Sequence, residues 1–342
     1  MPWADDGGRS WAAAALAAYG LPLDTPLRLI SLSENATFLV GEAPPLGVLR
    51  VYRPNYQTDI AKRSELAWID EILSSEVVAT PEVISNESQE RLTRVDIDGD
   101  ARDCVMFQFI EGCELATSGQ SNADLSVYGD VGQIVARLHL QVLQWQRPEW
   151  FERMHWNVET ILGADAPWGD WRDAVATLDA AEIETIERAE ARLRERLAGY
   201  PQTARNSGLV HCDMRTTNVM ADPDGKLWVI DFDDAGFSWL LWDLCSTTSF
   251  VEHESSLDGI VNAWLDGYQR VRALEARDLE MVPDLVFLRR LHLLAWIGSH
   301  PDASAAIEIG AAHAAGTVDI ARQYLEGEFL SGARLESLAV ES

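Results

Sequence analysis

The chain has 342 residues, 47% of them hydrophobic, enough to bury the core of one large domain or of two lobes. A net charge of −28 and a pI of about 4.5 argue against a nucleic-acid binder or a protein docked on anionic lipid, both of which need basic patches. The four cysteines, Cys104, Cys113, Cys212 and Cys245, form no C-x-x-C pair, so neither structural zinc nor a disulfide framework is expected.

In chain order, the Ala-rich run 12–18 predicts a short helix closed by Gly20. Residues 33–40 (SENATFLV) and 48–52 (VLRVY) predict two strands around a Pro/Gly turn. Residues 58–73 predict a helix, with Thr58 as N-cap and Asp59 in the first turn. Residues 102–110 (RDCVMFQFI) predict a buried strand, followed by Glu111-Gly112. From Leu115 onward the pattern turns helical. Residues 127–142 carry one apolar face, and His139 on that helix reads as an ordinary core or surface histidine. Residues 144–171 are loop-like and hold Trp145, Trp150, Trp156, Trp168 and Trp171. Such aromatics usually anchor an irregular segment; the alternative is a pocket wall or a stacking surface for a cation. Residues 183–198 predict an amphipathic helix stopped by Gly199 and Pro201. Three further helices are expected over 257–271, 283–300 and 304–325. No stretch reaches the roughly 18 apolar residues of a membrane span, and the first ten residues lack the basic start of a signal peptide. The expected location is therefore the cytoplasm, with no membrane contact.

The most informative stretch is 209–243, LVHCDMRTTNVMADPDGKLWVIDFDDAGFSWLLWD. Asp222-Pro223-Asp224-Gly225 is a strong turn signal, and the apolar residues on either side predict two short antiparallel strands. A hairpin brings its ends together. Asn218 opens the first strand and Asp231 closes the second, so an amide oxygen and a carboxylate can converge there. Such a pair suits a hard divalent cation such as Mg²⁺. Asp213, on the entering loop, supplies a separate carboxylate to accept a proton from a hydroxyl. Metal ligands plus such a base form a working set for phosphoryl transfer.

His211-x-Asp213-x4-Asn218, followed by Ile230-Asp231-Phe232-Asp233, resembles the catalytic loop and metal-binding Asp of kinase-like phosphotransferases. It looks most like their aminoglycoside phosphotransferase and choline kinase branch. Cys212 stands where that branch often has Gly, and Asp231-Phe232-Asp233 replaces the D-F-G of protein kinases. The resemblance implies an α+β, bilobal protein-kinase-like fold: a small β-rich nucleotide-binding N-lobe over residues 1–112 and a larger, mostly helical catalytic and acceptor-binding C-lobe over 113–342.

The resemblance also assigns roles. Asp213 is the catalytic base; Asn218 and Asp231 bind Mg²⁺. Arg215 stabilises the transferring phosphoryl group, with substrate binding or loop anchoring as alternatives. Ser33 and Asn35 belong to the loop over the nucleotide phosphates. Arg50 occupies the place of the usual phosphate-gripping Lys, with Arg53 and Lys62 as substitutes, and a guanidinium can bind phosphate oxygens in a bidentate fashion. Glu65, with Glu71 as its rival, pairs with that cation. The backbone of Gln108, Phe109 and Ile110 meets the nucleotide base. His211 is structural; Asp233 supports the metal shell, while Asp234 and Asp243 cap or fix local turns. The function implied is a kinase that moves the γ-phosphate of ATP, or of GTP, to a hydroxyl of a small molecule of the aminoglycoside, amino alcohol, sugar or homoserine type. The acidic surface suits a cationic acceptor. The alternatives are a protein Ser/Thr kinase of the stress response kinase A type, with a protein substrate, and a nucleotide-binding regulator without catalysis.

Overall fold

The computed structural model describes residues 6–32, 35–54, 56–115 and 125–335. The chain divides into two compact units. The first comprises Met1–Cys113, Arg147–Glu152 and Ala221–Asp233; the second comprises Glu114–Gln146, Arg153–Met220 and Asp234–Ser342.

The first unit is built on an antiparallel sheet of six strands: β1 (Leu27–Leu32), β2 (Ala36–Val40), β3 (Gly47–Val51), β4 (Val83–Ile84), β5 (Thr93–Ile97) and β6 (Asp100–Phe107). Their order is β1-β2-β3-β6-β4, with β5 also paired to β6. Helix α1 (Arg9–Ala15) continues as a single 3₁₀ turn, Leu16–Tyr19, and ends at Gly20 with φ 68°. Only Gly enters that left-handed region without a steric cost. Trp11, Ala12 and Ala15 on α1 join Phe38, Leu49, Val51, Cys104 and Met106 in one buried cluster. The alternation of β2 and β3 supplies the inward face of this core. Helix α2 (Asp59–Ser75) starts where the Thr58 hydroxyl accepts the Ala61 N–H, as the N-cap expectation required. Its Trp68 meets Phe232 edge to face, with ring centroids 5.2 Å apart.

Strand β7 (Cys113–Glu114) ends the first long segment of this unit. Strands β9 (Val219–Ala221) and β10 (Leu227–Val229) flank the expected turn. Asp222 organises it: one carboxylate oxygen accepts the N–H groups of Asp224 and Lys226, and the other accepts Trp228 Nε1 at 2.9 Å. A bridge from Ala79 to Trp228 fixes β10 within the first unit.

The second unit is mainly helical. In order it contains α3 (Ser126–Gln144), α4 (Val158–Leu162), α5 (Ala180–Ala198), the paired strands β8 (Ser207–Val210) and β11 (Gly236–Trp239), then α6 (Trp242–Thr247), α7 (Leu257–Gln269), α8 (Ala276–Glu280), α9 (Val282–Ser299) and α10 (Ser304–Glu326). Helix α9 is apolar almost all round and lies in the middle of the core, with Leu285, Val286, Phe287, Leu288, Leu291 and Leu294 fully buried. Helices α3 and α7 cross backbone to backbone. A Cβ on Gly267 would collide with the Gly129 carbonyl, and one on Gly132 with the Trp264 carbonyl. That close crossing brings His139 of α3 to Tyr268 of α7. Among the described residues, no helix is long and apolar enough to cross a membrane.

Candidate active site

In the second unit, β8 delivers the chain into the loop His211–Asn218, which closes in a 3₁₀ turn at Thr216–Asn218. The loop is sharply bent, with Cys212 at φ 66°. Such a backbone costs a non-glycine residue energy and persists only where its surroundings fix it. Here the fixing group is Asp243, fully buried on α6. Its Oδ1 accepts the Cys212 N–H at 2.7 Å, and its Oδ2 accepts the His211 N–H at 3.1 Å. His139 Nε2 lies 3.0 Å from the same Oδ2, and His139 Nδ1 lies 2.9 Å from the Tyr268 hydroxyl. A neutral imidazole donating from Nε2 and accepting at Nδ1 satisfies both contacts. Two turns of α6 also hold Met214: Ser246 Oγ accepts its N–H, and Thr247 Oγ1 donates to its carbonyl.

The loop presents Asp213. Asn218 Nδ2 donates to Asp213 Oδ2 at 2.7 Å and to its carbonyl at 2.8 Å. Arg215 grips the same carboxylate, with Nε 3.0 Å from Oδ1 and Nη2 3.0 Å from Oδ2. Arg289 of α9 approaches Oδ1 at 3.5 Å. Burial pushes the Asp213 carboxyl up, but Arg215 and Arg289 outweigh it and hold the group below the ordinary carboxylate range. Asp213 is therefore an ionised acceptor at neutral pH.

Arg289 escaped sequence reading, since an Arg inside an apolar helix carries no motif. It is buried, donates to Ser249 Oγ at 3.1 Å, and stands over the rings of Trp168 and Trp242 at 5.9 and 5.8 Å. His292, one turn on, stacks on Trp168 with centroids 3.8 Å apart. Trp156, Trp168 and Trp171 of the irregular segment are buried, whereas Trp150 is exposed.

The first unit holds a second charged cluster. Arg50 on β3 is buried between two carboxylates: its Nη1 is 2.6 Å from Glu65 Oε1 and its Nη2 is 2.7 Å from Asp231 Oδ1. Tyr52 donates its hydroxyl to Glu65 Oε2 at 2.8 Å. Burial works against the Arg50 charge, but Glu65 and Asp231 raise its pKa well above the usual value. Asp231 has φ 65°, and its side chain is 47% exposed. Asn35 Nδ2 donates to Asp233 Oδ2 at 2.7 Å, while its Oδ1 accepts the Arg53 N–H at 3.0 Å. Lys62 pairs with Asp59 and Asp103 instead of with Glu65. The Gln108 N–H is taken by the Glu82 carbonyl at 2.8 Å; Phe109 is half-buried and Ile110 buried. Ser33 lies outside the described residues.

Among the described residues, no group of three or more His, Cys, Asp or Glu side chains is arranged to hold a metal ion. The donor chemistry of Asn218 and Asp231 nevertheless fits a hard cation. The Asn218 amide nitrogen is spent on Asp213, which leaves its oxygen as the ligand atom, and Asp231 keeps an exposed carboxylate.

Three buried histidines of the second unit, His139, His292 and His313, are all pushed below the ordinary imidazole range by burial. The unfolded chain binds protons at these positions below about pH 6.5, and the folded chain resists doing so. Their contribution to stability is thus present above that pH and lost below it. The melting temperature should fall as pH is lowered from about 7.5 to about 5.5; a flat profile would contradict this assignment.

The profile of the Phosphotransferase enzyme family matches residues 26–274. The solved structure of a microcompartment-associated aminopropanol kinase is 35% identical, with a TM-score of 0.85, and the match covers 96% of this chain and 99% of that one. The fold is shared with an amicoumacin kinase solved with AMP-PNP and Ca²⁺, at 15% identity and a TM-score of 0.73, over 98% of this chain and 97% of that one. An uncharacterized protein of Deinococcus radiodurans is 26% identical over 280 residues, 80% of this chain and 77% of that protein. The loop and hairpin at 211–231, the antiparallel sheet and helical remainder, and these matches agree: the chain has the kinase-like α+β fold and belongs to the phosphotransferase enzyme family.

Proposed function

We propose that this phosphotransferase is a small-molecule kinase that moves the γ-phosphate of ATP to a hydroxyl of its acceptor. The observation that carries the reading is the Asp213 carboxylate, ionised and held by Asn218, Arg215 and Arg289 on a loop clamped by Asp243. Asp213 accepts the hydrogen bond of the acceptor hydroxyl, orients its oxygen toward the phosphorus and takes its proton as the bond forms. A carboxylate of low pKa is a weak base but a good orienting acceptor, which is what a loose phosphoryl-transfer transition state requires. Arg215 lies beside the reacting oxygen and spreads the charge of the transferring phosphoryl group. Arg50, kept in place by Glu65, grips the α- and β-phosphates; the Asn35 segment covers them, and the backbone of Gln108, Phe109 and Ile110 meets the base. In this reading residues 1–112 form the nucleotide lobe and 113–342 the catalytic and acceptor lobe. Asn218 and Asp231 would hold Mg²⁺, which when bound neutralises charge on the nucleotide phosphates.

The relatives named above include kinases of an amino alcohol and of an antibiotic, and the net charge of −28 matches a cationic acceptor. We therefore place the acceptor among amine-bearing alcohols. The test is ADP release from Mg-ATP in the presence of aminopropanol, ethanolamine, choline, aminoglycosides, homoserine, hexoses and a Ser/Thr protein. Stimulation by the amino-alcohol members is the expected result. Stimulation by a hexose or the protein alone would overturn the acceptor assignment, and turnover without any divalent cation would overturn the metal assignment.

A further inference from the structure

Away from the Asp213 loop, the second unit contains a cavity of about 430 Å³ between the segment 252–258 and the later turns of α10. Five carboxylates line it, Glu252, Glu254, Asp258, Asp319 and Glu328, and no Lys or Arg does. Its remaining wall is apolar, from Leu257, Ile320 and Phe329. Glu252 is nearly fully buried. Its Oε2 accepts Arg290 Nη1 at 2.9 Å, but its Oε1, shielded from solvent, has no hydrogen-bond partner among the described residues. A buried carboxylate oxygen without a donor is costly, and a bound cation bearing N–H groups would satisfy it. The cavity is far larger than a metal ion and falls in the size range of organic ligands. Carboxylates separated by an apolar wall suit ammonium groups joined by methylenes.

This cavity is distinct from the Asp213 site, yet tied to it. Arg289 and Arg290 are consecutive on α9, so they project about 100° apart. Arg289 reaches Asp213, whereas Arg290 reaches Glu252, the His313 carbonyl and Thr317. The same short segment carries Ser249, bonded to Arg289, and Glu252, bonded to Arg290. A ligand that draws on Glu252 loosens its hold on Arg290, and the shared helix and segment pass the shift to Arg289 and Asp213.

We infer that the cavity binds an aliphatic diamine as an effector, coupled to the Asp213 loop through the Arg289–Arg290 pair. The probe is 1,3-diaminopropane, titrated calorimetrically into the full chain at fixed ionic strength. One saturable site is expected, weakened about tenfold in Glu254→Gln/Asp319→Asn, whose two changes lie at half-buried and exposed positions and spare the Glu252–Arg290 pair. Affinity should be unchanged in Asp213→Ala, and amide hydrogen exchange over 212–218 should change on binding. Absence of a saturable site, equal affinity in the double variant, or loss of binding in Asp213→Ala overturns the site. Binding without any change in exchange overturns the coupling. None of these readings uses turnover, so the inference can fail while the kinase assignment stands, and the reverse.

Discussion

Asp213→Asn should lower kcat about 10²–10⁴-fold, the range spanned by a positioned proton acceptor, while leaving nucleotide affinity nearly unchanged. Asn is the informative replacement. Asp213 sits among Arg215, Arg289 and Asn218, and Arg289 is buried. Ala would leave that guanidinium without its acceptor and confuse a loss of chemistry with a loss of packing. Asn keeps the shape and one acceptor oxygen, so the melting temperature should fall only slightly. Turnover measured by ADP release, beside nucleotide affinity measured by titration, separates the two effects. A variant with normal kcat would remove Asp213 from the chemistry. Loss of nucleotide binding in parallel with kcat would mark it as structural.

The second large effect is expected at Asp243, a residue that touches no reacting atom in the proposed mechanism. Its two oxygens take the N–H groups of His211 and Cys212 and the ring of His139. Asp243→Ala leaves three buried donors without an acceptor, at about 1–3 kcal/mol each, so the melting temperature should drop steeply. Asp243→Asn is subtler. One of its positions becomes an N–H₂ facing an N–H, which should release Cys212 or His211 from the bend and displace Asp213. We expect a kcat loss of at least about 10-fold, set by the roughly 1 kcal/mol or more of strain released, with the fold retained in far-ultraviolet circular dichroism. His139→Gln, which preserves a donor toward Asp243, should be milder than His139→Ala in both turnover and melting temperature. Equal losses in the two variants would reduce His139 to simple core packing.

The local elements were legible where one signal dominated. Thr58 as a cap, the Asp-Pro-Asp-Gly turn, and the apolar stripes at 127–142 and 183–198 all act within a few residues, and the structure places elements there. The missed elements depend on distant partners. Strand β1, with mostly exposed side chains, and the short strands β8 and β11 owe their form to the neighbours they pair with. Helix α6 is six residues long, too short for a periodic signal. At the candidate site, the spacing from His211 to Asp231 was readable because one loop and hairpin carry it. Arg289 and His139 were not, because each comes from a helix remote in sequence and looks like a misplaced polar residue in an apolar face. A buried polar residue on such a face is informative only once its partner is known.

The Arg50 guanidinium has a consequence for reagents. Nucleotide analogues that carry an acylating group rely on a nucleophilic lysine amine beside the phosphates, and a guanidinium stays protonated and unreactive at any working pH. Of the two lysines in the chain, Lys62 is buried against Asp103 and Lys226 lies over Trp228 beside the turn. Surveys that count kinases by lysine acylation would pass over this protein even when its nucleotide site is fully occupied.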